Sequence, residues 1–434
     1  DWSSDVCSPD LFTQMKTAYL AHIEERAKDN LPPLVLNAEQ TQSVVEKLIN
    51  GDDEKFYLDL LTHRVPPGVD EAAYVKASFL ASVAKGEQTC NAIDQAQATF
   101  LLGTMLGGYN ISPLIELLEI GTTAQVACDA LSKTLLIYEA YQTIVEKSID
   151  NTFAKQVVDS WADADWFTAK EELSKEIKLT VFRVEGEINT DDLSPATEAW
   201  SRPDIPLHAQ SMLVKKMDDP LEIIAQLKEK GLPLAFVGDV VGTGSSRKSA
   251  INSVLWHMGN DINYVPNKRG GGVVLGGNIA PIFFNTAEDS GALPIECDVT
   301  KMNMGDEITI YPYEGKITNA SGETISTFEL SPTTMPDEVR AGGRIPLIIG
   351  RGLTDKTRQD LGLPVSKVFL RPQDASNSSV GYTLAQKIVG KACGVKGIRP
   401  GTYCEPRMTT VGSQDTTGAM TRDELKELAC LGFS

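Results

Sequence analysis

Apolar residues in the first part of the chain recur at the three- and four-residue spacing of amphipathic helices. Asn37 followed by Gln40 predicts a capping box directly before an apolar stripe at 44–49. The same spacing recurs, between brief turns, at 73–85, 124–136 and 138–147. The pattern predicts that residues 11–175 form stacked antiparallel helix pairs without a strict repeat, which is typical of scaffolds and partner surfaces.

Between residues 176 and 330 the pattern changes to short β-branched runs with dense glycine punctuation. Strand-like runs occur at 179–184, 234–241, 272–275, 293–296 and 307–311. Helical spacing recurs between them, most clearly at 221–230 and 247–258. Strands mixed with helices predict an α/β domain over this part of the chain.

The chain after residue 330 is predicted to begin with a linker and to continue as another mixed region. Residues 331–343 contain two prolines and a Gly-Gly pair, which favours a linker. Beyond it we expect a strand at 345–349 and helices near 384–393 and 421–431. This last region has the pattern of an incomplete domain, so we expect truncation at residue 434. Residues 1–10 fit no predicted element, and we expect them to be a non-native leader.

A glycine turn lies between the strand-like run at 234–241 and the helix predicted from residue 247. Its sequence is Gly242-Thr243-Gly244-Ser245-Ser246-Arg247. Such a turn gathers free backbone N–H groups at the positive end of a helix dipole, beside two hydroxyls and an arginine. The motif is neither a Walker loop nor a dinucleotide fingerprint, because Arg247 stands where each needs another residue. The pattern indicates an anion site with a candidate serine base, and a purely structural turn with an N-capping serine stays open.

Charge and cysteine usage exclude several classes of function. The 434 residues suffice for about two to four domains and include 40 Lys and Arg against 59 Asp and Glu, a formal charge of −19. This balance argues against general binding to nucleic acid or membrane surfaces. The seven cysteines contain no CxxC pair and the four histidines have no metal-ligand spacing, so neither a disulfide framework nor a zinc site is predicted. Reduced thiols and the lack of an apolar run of about 18 residues favour a cytoplasmic protein.

Two further polar clusters are candidates for the same chemistry. The stretch 190–195 carries the paired carboxylates of Asp191 and Asp192, which in a turn are commonly solvated or capping groups. Arg202 follows as a candidate anion clamp, with an ordinary surface arginine as the alternative. Near the end of the chain, the polar loop 412–418 by itself predicts a turn.

Taken together, these motifs resemble the aconitase family. The matching stretches are 190–195, 244–247, 279–286 with 291–295, and 412–416. The order of the regions resembles that of the B-type members, and the likeness extends from about residue 11 to residue 434. The resemblance implies a multidomain fold, with an α-helical HEAT-like domain at 11–175, an α/β swivel domain at 176–330, a linker at 331–343 and the start of an α/β cluster-bearing domain at 344–434.

Carried over position by position, the resemblance implies roles for the matching residues. Ser245 is the serine base that moves the proton on the carbon of citrate or isocitrate. Ser246 and Arg247 bind substrate carboxylates, and Arg202 holds another carboxylate from the swivel domain. The substrate-contacting loop is implied to consist of Gln414, Asp415 and Thr416. The implied reaction is the reversible isomerisation of citrate to isocitrate through cis-aconitate in the tricarboxylic acid cycle, with dehydration of 2-methylisocitrate as a further activity.

The resemblance also implies a 4Fe–4S cluster, whose fourth iron acts as a Lewis acid on the departing hydroxyl. None of the seven cysteines matches the three cluster ligands of the family, so we assign no metal ligand within the chain and expect the ligands beyond residue 434. Alone, the chain is predicted to be inactive. The resemblance further implies that the helical domain forms a homodimer and binds mRNA. The alternatives are a scaffold or RNA-binding module and a swivel subunit of the isopropylmalate isomerase type.

Overall fold

The computed structural model describes residues 9–106, 108–371, 379–400, 402, 404 and 406–410. Its first part is helical and contains α1 (Pro9–Ala27), α2 (Ala38–Asn50), α3 (Glu54–His63), α4 (Glu71–Lys85), α5 (Gln95–Gly103), α6 (Ile111–Leu117), α7 (Ala124–Lys133), α8 (Ala140–Lys147), α9 (Thr152–Asp163) and α10 (Asp165–Thr168). No helix in the described ranges is both long and apolar enough to cross a membrane.

Side-chain caps fix where several of these helices begin. The Asn37 side chain accepts the Gln40 amide at 2.8 Å, and the Gln40 side chain accepts the Asn37 amide at 3.1 Å, which confirms the predicted capping box of α2. Asp70 and Asp94 cap α4 and α5 in a similar way. The apolar stripes of these helices pack into one shared core, which includes Val44, Leu48, Leu61, Leu80, Leu102, Leu114, Leu131, Ile144 and Trp161.

An α/β domain with a mixed sheet follows the helical part, as the sequence predicts. Its strands are β1 (Ile177–Asn189), β2 (Leu234–Thr243), β3 (Asn260–Ile262), β4 (Val265–Gly270), β5 (Val273–Ile279), β6 (Leu293–Glu296), β7 (Glu307–Tyr311), β8 (Lys316–Asn319) and β9 (Thr324–Thr327). The main sheet has the order β6-β5-β2-β1-β7-β8-β9. Strands β6, β5, β2 and β1 are parallel, whereas β7, β8 and β9 continue the sheet as an antiparallel meander. A separate hairpin is formed by β3 and β4.

The central strands bury side chains on both faces of the sheet. On one face Phe182 and Phe236 share a core with helices of the connections. On the other face Val181 and Val237 belong to a second core, which also includes Ile308 of the meander. Those connections hold α11 (Thr190–Leu193), a 3₁₀ helix (Ala196–Ser201), α12 (Ile205–Ala209), α13 (Pro220–Lys228), α14 (Arg247–Met258) and α15 (Pro281–Asp289). Every strand-like run predicted between residues 176 and 330 is a strand, but β3, β4, β8 and β9 were not predicted.

The strand predicted at 345–349 is wrong. The described structure contains α16 (Met335–Ala341) within the predicted linker, then α17 (Arg344–Asp360) and, as predicted, α18 (Leu384–Ala392). Pro346 lies in the first turn of α17, where a missing N–H costs no intrahelical hydrogen bond. The buried positions of α17 continue at helical spacing through Leu347, Gly350, Arg351 and Thr354. Several of these residues are not apolar, so the short apolar run at 345–349 alone resembles a strand. The helix predicted near 421–431 lies outside the described residues.

A buried pair of carboxyl groups lies where α15 meets α16. The Glu288 side chain is 3% exposed and is hydrogen-bonded to Glu338, whose Oε1 accepts the Thr334 hydroxyl at 2.7 Å. Burial, followed by the neighbouring charge of Glu338, raises the pKa of Glu288 to about 8, against the opposing effect of Arg344. Between the ordinary carboxyl pKa of 4.5 and about pH 8, the folded protein therefore holds a proton at this pair that an unfolded chain would release.

Glu288→Gln is expected to flatten the pH dependence of stability. Below the ordinary carboxyl pKa of 4.5 the group is protonated in both states. As the pH rises from there to about 8, only the unfolded state ionises, so the stabilisation is progressively lost. Between about pH 5 and pH 8 the variant should lose less unfolding free energy than the unmodified chain, by at least about 1 kcal/mol in urea titrations. The exposed Glu185→Gln should leave the slope unchanged; equal slopes for both variants would contradict the shared proton.

Candidate functional site

The candidate site lies at the carboxyl edge of the parallel strands. Strands β1 and β2 end side by side, with Asn189 paired with Thr243, and the glycine turn leads from β2 directly into α14. Gly242 and Gly244 have φ values of +81° and +104°, which residues with a Cβ rarely adopt. The turn therefore needs glycine at both positions, and it brings the first turn of α14 to the edge where open α/β sheets bind ligands.

The Thr190–Pro195 motif supports this turn from the neighbouring strand. Asn189 and Asp192 form the capping box of the short helix α11, so Asp192 acts as a capping residue. The Thr190 hydroxyl accepts the Ser246 amide at 3.2 Å. A Cβ added to Gly244 would lie 2.5 Å from that hydroxyl oxygen. The motif thus determines the path of the glycine turn.

Three of the predicted site residues stand together at the start of α14. Ser245 is exposed, while Ser246 and Arg247 are half-buried. Ser246 precedes the helix, but its side chain makes no capping hydrogen bond, which disfavours the purely structural interpretation of this serine. Arg247 is the first helical residue, and its Nη1 donates to the Ser245 carbonyl at 3.4 Å. The first amides of α14 have no intrahelical acceptor, and the helix dipole adds positive potential at this point.

Arg202 reaches the same point from the connection between β1 and β2. Its Nη2 donates to the Ser246 hydroxyl at 3.2 Å. Its Nε is buried and has no hydrogen-bond partner among the residues that the structure describes. A buried guanidinium N–H without a partner is costly unless a ligand satisfies it. The predicted anion clamp at Arg202 is thus adjacent to the serine pair, although 43 residues of sequence separate Arg202 from Ser246.

A buried histidine connects the two segments beneath the site. His208 Nε2 lies 2.7 Å from the Ser194 hydroxyl and Nδ1 lies 2.8 Å from the Ser201 hydroxyl. The Ser194 hydroxyl also donates to Ser249 in the first turn of α14, at 2.7 Å. Burial, followed by the charge of Arg202, lowers the pKa of His208, which favours the neutral form of the ring. The sequence did not indicate this network, because no spacing signal joins its members.

The loop residues Gln414, Asp415 and Thr416 lie outside the described residues. Their assignment therefore stays a prediction. Within the described ranges, the structure brings together Ser245, Ser246, Arg247 and Arg202, and these four are the basis of the candidate site.

Two family models match the chain. The "Aconitate B N-terminal domain" matches residues 18–167, and the "Aconitate hydratase 2 N-terminus" matches residues 179–382. The first therefore covers most of the helical part, and the second covers the α/β domain and continues beyond α17.

Curated relatives show high sequence identity. The chain is 64% identical over 424 residues to aconitate hydratase B of Synechocystis sp., covering 97% of this chain and 49% of that protein. It is 59% identical over 434 residues to aconitate hydratase B of Escherichia coli, covering 97% of this chain and 50% of that protein. The chain thus spans about half the length of the curated relatives it matches.

One similar solved structure is the 3-isopropylmalate dehydratase leuD of Methanocaldococcus jannaschii. It is 18% identical, with a TM-score of 0.33, and the match covers 42% of this chain and 99% of that one. By the two family models and the sequence identities to its curated relatives, the chain belongs to the aconitate hydratase B family and corresponds to an N-terminal portion of its members.

Proposed function

We propose that this chain supplies the serine base and the carboxylate-binding half of an aconitate hydratase site. The reaction is the reversible isomerisation of citrate to isocitrate through cis-aconitate, with 2-methylisocitrate as a further substrate. The observation that carries the proposal is the grouping of Ser245, Ser246 and Arg247 at one helix N-terminus with the unsatisfied guanidinium of Arg202. This grouping suits a substrate with several carboxylates and a carbon-bound proton to be moved.

Each residue has a separate task in this proposal. The exposed Ser245 hydroxyl releases its proton to solvent, and the resulting alkoxide takes a proton from the substrate carbon. The helix dipole and the two guanidinium groups stabilise the alkoxide. Arg202 offers its free Nε to one carboxylate while its Nη2 remains on Ser246. Arg247 and the Ser246 hydroxyl bind a second carboxylate, and the Gln414–Thr416 loop completes the contacts.

The 4Fe–4S cluster of the implied reaction does not fit the described residues. They contain no group of three or more His, Cys, Asp or Glu that could hold a metal ion. We propose that the cluster ligands come from the half of the family sequence that this chain does not span. We also propose that the α/β domain is a swivel domain and that the helical domain is HEAT-like, with the boundaries given above. The helical domain is further proposed to form a homodimer and to bind mRNA.

The proposal is tested by joining residues 11–434 to the C-terminal half of the Escherichia coli relative, hereafter the joined protein. With its cluster reconstituted, the joined protein should interconvert citrate, cis-aconitate and isocitrate. The chain alone should not. A joined protein that folds, holds its cluster and leaves citrate unchanged would overturn the proposal. That result would favour a scaffold or a swivel subunit of the isopropylmalate isomerase type. The presence of the helical domain disfavours the isomerase alternative.

Arg202→Ala in the joined protein is expected to raise the KM for citrate by about 10–100-fold, because a hydrogen bond to a charged group contributes about 1.5–3 kcal/mol. Initial rates over a range of citrate concentrations measure the effect. Lys215→Ala is the matched control, because it removes an equal charge nearby from a side chain that contacts Thr197 and not the site. Equal KM values for the two variants would show that Arg202 contributes only general electrostatic attraction.

A further inference from the structure

The last turn of α1 contacts the segment that carries Arg202. Arg26 and Asp204 form a two-pronged ion pair, with Nη1 2.6 Å from Oδ2 and Nη2 3.0 Å from Oδ1. Their side chains are only 11% and 15% exposed. The two residues are 178 positions apart in the sequence, so the helical part of the chain holds a segment of the α/β domain at this point.

Both partners of the ion pair are fixed by their own surroundings. Arg26 Nε donates to the Pro32 carbonyl at 2.9 Å, which orients the guanidinium. The Asp204 side chain caps the start of α12. At the end of α12, Gln210 Nε2 donates to the Asp29 carbonyl at 2.6 Å. The segment 202–210 is thus bound at two points, to the last turn of α1 and to the turn that follows it.

Asp204 is two residues after Arg202, so a shift of the Asp204 backbone also shifts the base of the Arg202 side chain. A guanidinium that pairs with a carboxylate through both Nη atoms has one preferred geometry. The pair therefore restrains the orientation of the carboxylate as well as its distance from the guanidinium. Loss of Arg26 would leave a carboxylate that is mostly buried without its counter-charge, and the segment would have to move to solvate it.

We propose that Arg26 is a positioning residue for the substrate-binding Arg202, which it orients through Asp204. Its effect on substrate binding rests on the proposed function, whereas its effect on the position of Arg202 does not. It gives the helical region a direct part in building the site, in addition to any role as a partner surface.

The two parts of the chain also meet away from the site, so docking does not depend on Arg26 alone. Arg64 Nη2 donates to Asn267 Oδ1 at 3.2 Å, and Asn267 Nδ2 donates to the Pro33 carbonyl at 3.0 Å. His63 stacks on Tyr264 with their ring centroids 5.9 Å apart. Arg64→Ala therefore weakens the same interface through contacts other than the Arg26–Asp204 ion pair, and it serves as the matched control.

The test compares Arg26→Gln, Asp204→Asn, their double variant and Arg64→Ala. Asn at position 204 can still cap α12, which keeps the helix start intact. In the joined protein, Arg26→Gln and Asp204→Asn should each raise the KM for citrate by about 10-fold with kcat changed by less than about 3-fold, because substrate alignment is lost while Ser245 is untouched. The double variant should be no worse than either single variant. Arg64→Ala should leave KM unchanged.

Backbone hydrogen exchange of the chain alone gives a second measurement that needs no catalysis. Amides of residues 205–211 should exchange faster in Arg26→Gln than in the unmodified chain, and Arg64→Ala should leave them unchanged. Unchanged exchange in Arg26→Gln overturns the inference, whether or not the joined protein turns over. Faster exchange with an unchanged KM also overturns it, since the ion pair would then be structural only. If the unmodified joined protein is inactive, the proposed function fails, and the exchange comparison alone decides whether Arg26 orders the segment.

Discussion

Ser245→Ala is expected to lower the kcat of the joined protein for citrate by about 10²–10⁴-fold, with a much smaller change in KM. A positioned general base contributes a factor of this size. The Ser245 side chain is exposed in front of α14, whereas the Ser246 hydroxyl already accepts a hydrogen bond from Arg202. Alanine removes one oxygen and adds no volume, so stability should be unaffected. Steady-state kinetics with citrate and with isocitrate measure the loss.

Ser290→Ala is the matched control for this prediction. The Ser290 hydroxyl donates to the Thr286 carbonyl at the end of α15, away from the glycine turn. Its removal should change kcat by less than about 2-fold, because it costs only one local hydrogen bond. A Ser245→Ala variant with the kcat of this control would remove Ser245 from the chemistry and leave the turn as an anion site.

The elements of the site were predictable from the sequence because their signals are local. The run at 234–241 predicted β2, and the spacing of residues 247–258 predicted α14, whose start at Arg247 fixes the position of the serines. The strand wrongly predicted at 345–349 also follows from local reasoning. There a short apolar run was interpreted without the buried positions that continue to Thr354.

What the sequence could not predict are contacts between distant segments. Arg202 was named as a candidate anion clamp, but its place beside Ser246 depends on how the connection between β1 and β2 folds back over α14. The His208 network joins hydroxyls from three segments, and Arg26 meets Asp204 across two regions. Such pairs have no periodicity or spacing in one sequence. They follow only from the packing of the sheet and its helices.

Gly242→Ala is expected to lower the free energy of unfolding by about 2–5 kcal/mol, of which the positive φ accounts for about 1–2 kcal/mol. The remainder is steric, because a Cβ at this position would lie 2.2 Å from Cγ of Phe283. Phe283 is 1% exposed in the core beneath the sheet and cannot move away without opening a cavity. Urea titration of the chain, followed by circular dichroism, measures the change.

Gly322→Ala separates the backbone cost from the steric cost. Gly322 has a similar φ of +84°, and nothing lies within 4 Å of a Cβ added there. It should therefore lose only about 1–2 kcal/mol. A larger loss at Gly242 means that the glycine allows the turn to lie directly on Phe283, which places Ser245 in front of α14 and Arg247 in its first turn. Equal losses at the two glycines would mean that the turn can move away from Phe283, and its position would then have to be fixed by Thr190 and Arg202 instead.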